Sequence, residues 1–398
     1  MSFALGVLLF AVGIGLSIAL HEAGHMWSAK AFGMRVRRYF IGFGPKVFSF
    51  RRGDTEYGLK WIPAGGFCDI AGMTALDPVT TEEAPRAFFK KATWKRVVVL
   101  SAGSGMHFLI GIVLLYVLAV AGALPNSTPV VAQVAECVPP ATTAAGALPT
   151  CQPGQPAPAK AAGMQVGDVI TSVAGTPVSS TNEAQTIIQG KRGPVPVVVE
   201  RAGRPVTLTI DVVPMTSVDP TTKASTTTGR IGVSFPFYQV LNPVTAVPAT
   251  FLFTGEMFSA TWQGLIMFPE KVPAVLKAIG GAPPDVNRPV SVVGASIIGG
   301  DAAQAGQWAF FLLLLAALNF FVGVFNLVPL LPLDGGHIAV NLYERARDSV
   351  RRRLGKAKMP PVDYTRLLPV TYAFILVLGA ISLLTITADI VNPIRLPQ

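Results

Sequence analysis

The sequence predicts a multi-pass α-helical membrane protein of about four transmembrane helices, interrupted by one soluble α+β domain. Three observations carry this. The 398 residues are 51% hydrophobic and only 14% charged, with a mean hydropathy of +0.51, far from the usual soluble balance. Four charge-free windows, Ser2–Leu20, Val97–Leu124, Ala302–Leu333 and Leu367–Ala388, each approach or exceed the roughly 20 residues that a spanning helix needs. Residues 128–236 alone have the polar, turn-punctuated composition of a soluble domain.

The first window has no basic stretch before it and no small-residue cleavage site, so it reads as a retained span rather than a signal peptide. It runs directly into His21-Glu22-Ala23-Gly24-His25. Two histidines four residues apart project from one face of a helix, so neutral imidazoles can share one Zn²⁺ while the intervening glutamate stays available as a base. With four histidines in the whole chain, this spacing is specific. The plainer reading is a pair of histidines capping a helix end.

Lys and Arg fall unevenly: 13 lie in residues 28–96 and 8 in 335–366, against 10 in the much longer 122–307. The two short basic loops therefore face the cytoplasm. The net charge of +10 follows as a topology signal with affinity for anionic membrane lipid, and no nucleic-acid motif accompanies it.

Two histidines need a third protein ligand if one position is to stay open for a catalytic water. Asn326-Leu-Val-Pro-Leu-Leu-Pro-Leu-Asp334-Gly-Gly-His337 supplies Asp334 at the cytoplasmic end of the third span, the side on which the first span reaches His21 and His25. Pro329 and Pro332 break the helix before it, and Gly335-Gly336 relax the backbone after it. An intramembrane carboxylate is costly unless paired or metal-bound. The simpler reading is a cap on the following helix.

These two blocks resemble the signatures of the site-2-protease family of intramembrane zinc metalloproteases (M50-type), and the resemblance covers most of the chain. Gly42-Phe43-Gly44, Glu56-Tyr57 and Ile62-Pro63-Ala64-Gly65-Gly66-Phe67 look like the family's membrane-associated β-hairpin, here within 40–70. Residues 156–170 resemble the opening of a PDZ domain, and mycobacterial family members with a single such module are the most similar. The resemblance implies His21, His25 and Asp334 as ligands of one zinc per chain and Glu22 as catalytic base. It also implies Asn326 as a contact to substrate, and Gly65, Gly66 and Phe67 within a segment that pairs with unwound substrate by β-augmentation. The resemblance implies as substrates single-pass membrane proteins such as anti-sigma factors, cut after an upstream site-1-type protease has trimmed them, and remnant signal peptides.

The expected organisation is therefore a first half of the protease core (1–124), an extracytoplasmic PDZ domain with a cysteine-flanked insertion (125–237), an extracytoplasmic amphipathic segment (238–301) and a second half of the core (302–398). The active site is expected near the cytoplasmic face of the cell membrane. Within the PDZ-like region, a helix near Asn182–Gln189 and strands at Val195–Arg201 and Val206–Val213 follow from pattern, and Val130–Val134 is the expected groove strand. Cys137 and Cys151 flank a Pro- and Ala-rich insertion on the outer side and are expected to pair, leaving Cys68 reduced. Phe251–Ile279 is expected as an amphipathic helix on the outer surface, and Arg288-Pro-Val-Ser-Val-Val-Gly294 is family-like without a readable role.

One departure stands out. The second span reads Gly103-Ser104-Gly105-Met106-His107, where the family usually has proline after the glycine and asparagine in place of His107. His107 and His337 are expected as hydrogen-bonded neighbours of the site rather than ligands. A metal or ion transporter would also place His and Asp in the membrane, but it has no use for a free base such as Glu22.

Overall fold

The computed structural model describes residues 2–396 apart from 75–76, 127, 143–148, 219–224, 237, 240, 284 and 286. The insertion expected between the two cysteines thus lies partly outside the described residues. The chain divides into two compact units, Met1–Leu118 with Val244–Gln398, and Ala119–Pro243.

The first unit is helical. Helix α1 spans Phe3–Ala31. The Ser2 hydroxyl accepts from the Leu5 N–H at its start, and a Schellman turn closes it, with Gly33 N–H to Lys30 O and Met34 N–H to Ala29 O both at 2.9 Å and Gly33 at φ +66°. Its 29 residues extend about 43 Å at 1.5 Å per residue, so the metal motif lies within the same unbroken helix as the apolar run. Helix α2 (Thr93–Val120) follows, then α5 (Pro243–Ile279), α6 (Val292–Gln304), α7 (Trp308–Asn326), α8 (Asp334–Arg353) and α9 (Leu368–Val391), with α3 (Pro158–Ala161) and α4 (Thr181–Gln189) in the second unit. Four helical segments are long and apolar enough to cross a membrane: Phe3–Ala31, Thr93–Val120, Trp308–Asn326 and Tyr364–Val391.

The third of these corrects the expected span of Ala302–Leu333. That window contains the end of α6, a break, all of α7 and a turn. Gly306, at φ +72°, opens the break, and Pro329 and Pro332 end helical geometry before Asp334; absence of charge cannot distinguish these pieces. Small residues then let the helices close up. A Cβ on Gly6 would lie 2.8 Å from Ala303 Cβ and 3.0 Å from Gly300 Cα, so α1 and α6 meet nearly backbone to backbone.

Strands β1 (Val36–Arg52) and β2 (Thr55–Ile70) form an antiparallel hairpin that folds over on itself. Residues 38–41 of β1 pair with 56–59 on one side and with 66–69 on the other. The segment 66–70 therefore forms an edge of a small folded sheet. Tyr39 Oη donates to Ala19 O at 2.7 Å, fastening this sheet to α1.

Helix α5 is longer than expected from Phe251–Ile279, and it does not merely present one apolar face outward. Phe258 sits edge-on to Phe108 of α2 and Phe320 of α7, with ring centroids 4.8 and 5.2 Å apart.

The second unit is β-rich. Its largest sheet has the order β6-β5-β7-β8-β9, with β5 Val169–Val173, β6 Thr176–Pro177, β7 Gly193–Arg201, β8 Arg204–Val218 and β9 Ser225–Arg230. Helix α4 (Thr181–Gln189) starts with a Ser180/Glu183 capping box, and its Ala184 and Ile188 join Ile170, Val197, Val199 and Ile210 in the core. Alternation is clean in β7, where Val195, Val197 and Val199 are buried. The expected groove strand is shorter than predicted: only Gln133–Val134 is a strand, β4, paired with β10 (Val233–Ser234), while Val130 makes a single bridge to Val169. Cys137 and Cys151 form a disulfide, and Cys68 is free.

Candidate metal centre

Four elements meet at the site. The i, i+4 spacing on α1 stacks His21 and His25 on one face, and the turn after α7 delivers Asp334 as the first residue of α8. His21 Nε2 and His25 Nε2 are 3.1 Å apart, and Asp334 Oδ2 lies 3.4 and 3.3 Å from them. Among the described residues these three form the one cluster of potential metal ligands, all candidate atoms lying within 4.8 Å of each other.

The donor set fits zinc. Tetrahedral coordination with bonds of 2.0–2.2 Å puts neighbouring donors about 3.3 Å apart, the spacing seen here. His25 Nδ1–H donates to Val99 O at 2.7 Å, which fixes the tautomer and leaves the Nε2 lone pair facing the cluster. Asp334 Oδ2 is buried without any hydrogen-bond partner. Two imidazole lone pairs aimed at an unsatisfied carboxylate oxygen call for a cation between them.

Space for it comes from α2. A Cβ on Gly103 would collide with the imidazoles of both His21 and His25, so this one position must lack a side chain. Glycine was noted there in the sequence, but only as part of a family-like string; the collision depends on helix crossing, which spacing alone does not reveal.

Glu22, between the histidines, faces the hairpin. The Cys68 backbone N–H donates to its carboxylate, and a Cβ on Gly66 would stand 2.9 Å from Glu22 Cγ. The edge 66–70 thus runs beside the glutamate. Gly65 has φ +132°, a conformation reserved for glycine, and Phe67 stacks on Phe40 with centroids 5.6 Å apart. Burial pushes the Cys68 thiol well above the usual range, so it stays protonated. Asn326 is the half-buried last residue of α7, one turn upstream of the segment that leads to Asp334.

His107 is 2% exposed. Asn319 Nδ2 donates to Leu315 O at 2.8 Å, which orients the amide so that its Oδ1 accepts from His107 Nδ1–H at 2.8 Å. The His107 ring lies 5.0 Å from that of His21. His337 Nδ1 is 3.4 Å from Tyr364 Oη. Sequence reading missed Asn319, whose only signal is an amide within an otherwise apolar span.

It also left Arg288–Gly294 without a role. Arg288 Nη1 meets Asp389 Oδ1 at 2.7 Å, with neither side chain exposed to solvent. The Ser291 N–H donates to the other carboxylate oxygen at 2.6 Å, and Arg288 Nη2 donates to Asn392 O at 2.9 Å. The motif joins the start of α6 to the end of α9.

Comparison with known proteins agrees with this geometry. The profile of Peptidase family M50 matches residues 9–361. The chain is 47% identical to zinc metalloprotease Rip1 of Mycolicibacterium smegmatis over 411 aligned residues, covering all of both chains. It is 46% identical to zinc metalloprotease Rip1 of Mycobacterium tuberculosis, again over the whole of both. A putative zinc metalloprotease of Mesorhizobium japonicum is 30% identical over 86% of this chain and 89% of its own. With four helices long enough to span a membrane and two of three zinc-type donors on the first, the chain belongs to Peptidase family M50, the site-2 proteases, as a multi-pass intramembrane zinc metalloprotease.

Proposed function

We propose that His21, His25 and Asp334 hold the catalytic zinc, that Glu22 is the general base, and that the hairpin edge 66–70 receives an unwound transmembrane segment. The observation that carries this is the juxtaposition of Glu22, the three-donor cluster and a sheet edge. When bound, zinc supplies Lewis acidity, polarising a carbonyl and acidifying water.

The chain's own residues do the rest. A peptide bond in a helix is already hydrogen-bonded, so substrate must become extended before it can be cut. Backbone groups of 66–70 offer it strand pairing, with Gly65 and Gly66 giving close access and Phe67 packing beside it. Such pairing would set a scissile carbonyl near Glu22, whose carboxylate takes the proton from the attacking water and returns it to the leaving amine. Asn326 holds the substrate backbone from the α7 side. His107, fixed by Asn319, keeps the packing and orientation of His21.

The unit Ala119–Pro243 is read as a PDZ domain on the extracytoplasmic side. The five-stranded sheet, the capped α4 and the disulfide suited to an oxidising compartment support this. Substrates are then single-pass proteins of the cytoplasmic membrane, anti-sigma factors among them, presented after a site-1-type cut.

The test incubates detergent-purified protein with a trimmed single-pass substrate, comparing wild type, Glu22→Ala and chelator-treated enzyme while bound zinc is counted. Cleavage by wild type alone, with Glu22→Ala still holding about one zinc per chain, supports the assignment. Loss of zinc from Glu22→Ala would make the glutamate a ligand and overturn it.

A further inference from the structure

A cavity of about 620 Å³ lies between the start of α2, one face of α8 and the segment leading into α9. That volume falls within the roughly 300–1,000 Å³ of ordinary ligand sites. Its charges do not balance. The acids that line it are engaged: Asp77 accepts from Arg37 at 2.8 Å and from Gly72 N–H at 2.6 Å, Glu344 accepts from Val362 N–H at 2.7 Å, and Asp348 pairs with Arg347 at 3.2 Å. Lys91, Arg345, Arg352 and Lys358 line the same cavity, and no ion pair is found for any of them among the described residues. Arg96 also lines it: its Nη1 pairs with Glu344 at 3.7 Å, but its Nε is buried without a hydrogen-bond partner, and Asn341, 4% exposed, has a partnerless Oδ1.

The cavity's depth in the membrane identifies the class of anion. Thr93 and Tyr364, both lining it, are the first residues of two segments long and apolar enough to span a membrane, an end position that corresponds in a bilayer to the headgroup level. Apolar side chains stand at its rim and nearby: Phe89 is 48%, Trp94 56% and Met359 45% exposed. A free anion needs no such rim, whereas a lipid with a charged head and apolar tails does. Basic pockets between spanning helices are a known way of holding anionic headgroups.

We propose that this cavity binds the phosphate-bearing headgroup of an anionic phospholipid, with Lys91, Arg345, Arg352 and Lys358 supplying charge, Arg96 Nε a donor and Asn341 Oδ1 an acceptor. The site is separate from the metal centre but grips α8, the helix that begins with Asp334.

The experiment counts lipids retained by the full chain in neutral detergent, by native mass spectrometry, during titration with phosphatidylglycerol or phosphatidylcholine. One tightly retained phosphatidylglycerol is expected, and not one phosphatidylcholine. A basic side chain near an anionic surface contributes about fivefold in affinity, so Arg345→Gln/Lys358→Gln should weaken retention by about twenty- to thirtyfold. Arg353→Gln/Lys356→Gln removes equal charge from exposed positions outside the cavity and should leave it unchanged; Arg345→Lys/Lys358→Arg should restore most of it. Melting temperatures of all variants without lipid separate misfolding from lost binding. Equal retention of both lipids, or equal loss in the control pair, overturns the proposal. Displacement of the lipid by inorganic phosphate at matching concentration would assign the cavity to a free anion. Displacement by an acidic substrate segment, without lipid preference, would assign it to substrate.

Discussion

Two carboxylates, Asp389 near the end of α9 and Asp334 at the start of α8, solve the same problem in opposite ways. Asp389 is fully satisfied: one oxygen meets the Arg288 guanidinium, the other the Ser291 N–H, and nothing is exposed. Asp334 leaves Oδ2 without a donor, facing two imidazole nitrogens. A buried acid whose valences are all filled by protein holds helices together; one left without a protein donor is suited to hold a cation. The contrast separates structural from chemical acids without reference to any motif.

The sharpest way to break it is to exchange the consequences. Asp334→Asn should abolish zinc retention and with it proteolysis, while the melting temperature of metal-free protein changes little or rises, because an unsatisfied charge is removed. Asp389→Asn should do the reverse: bound zinc per folded chain is kept, but stability falls by about 3–5 kcal/mol, since the Arg288 charge is left buried and unpaired. Chemical or thermal denaturation alongside metal analysis reads both. Replacing the pair together, as Arg288→Met/Asp389→Leu, should recover much of the loss; failure to recover would mean that the pair sets the geometry of α6 and α9 rather than merely satisfying itself.

A smaller effect tests the neighbours of the open acid. Asn319→Leu removes the acceptor that orients His107 and should lower zinc affinity or turnover by about 10–100-fold, with His107→Asn, which keeps a polar side chain, retaining more function than His107→Leu. Metal competition assays distinguish affinity from turnover.

The smallest lies in the β-rich unit, where Asp168 is a second satisfied acid. Arg201 donates to it at 2.7 Å, and this pairing lowers the Asp168 carboxyl below its usual value of 3.8. A depressed folded value means the stabilisation is present above the unfolded pKa and lost as pH falls through the folded one. Residues 119–243 should therefore lose stability below about pH 4, and Arg201→Gln should remove that acid-side slope. Circular dichroism of thermal unfolding against pH checks it.

Much of this was legible in the chain. Absence of charge marked the spans, because lipid penalises charge at every position, and spacing marked His21, Glu22 and His25, because both histidines share one helix. Asp334 was reachable since it closes a span on the same side. Alternation marked β7 and the capping pattern marked α4. What escaped were relations between elements remote in sequence. Gly103 and Asn319 matter only because α2 and α7 cross near α1. Arg288 finds Asp389 across 101 residues. The break at Gly306 was invisible because hydropathy registers apolarity and not backbone direction. The folding of β1 between two parts of β2 likewise depends on register, and a glycine-rich apolar strand carries little of it.

Gly103 has one more consequence. The proposed metal site is bounded there by a hydrogen atom, and every glycine codon is one nucleotide from an alanine codon. A collection of loss-of-function alleles should therefore be as dense at Gly103 as at the histidines themselves, and those alleles should yield membrane protein of normal abundance. The position is a point of genetic fragility that no inventory of ligands would reveal.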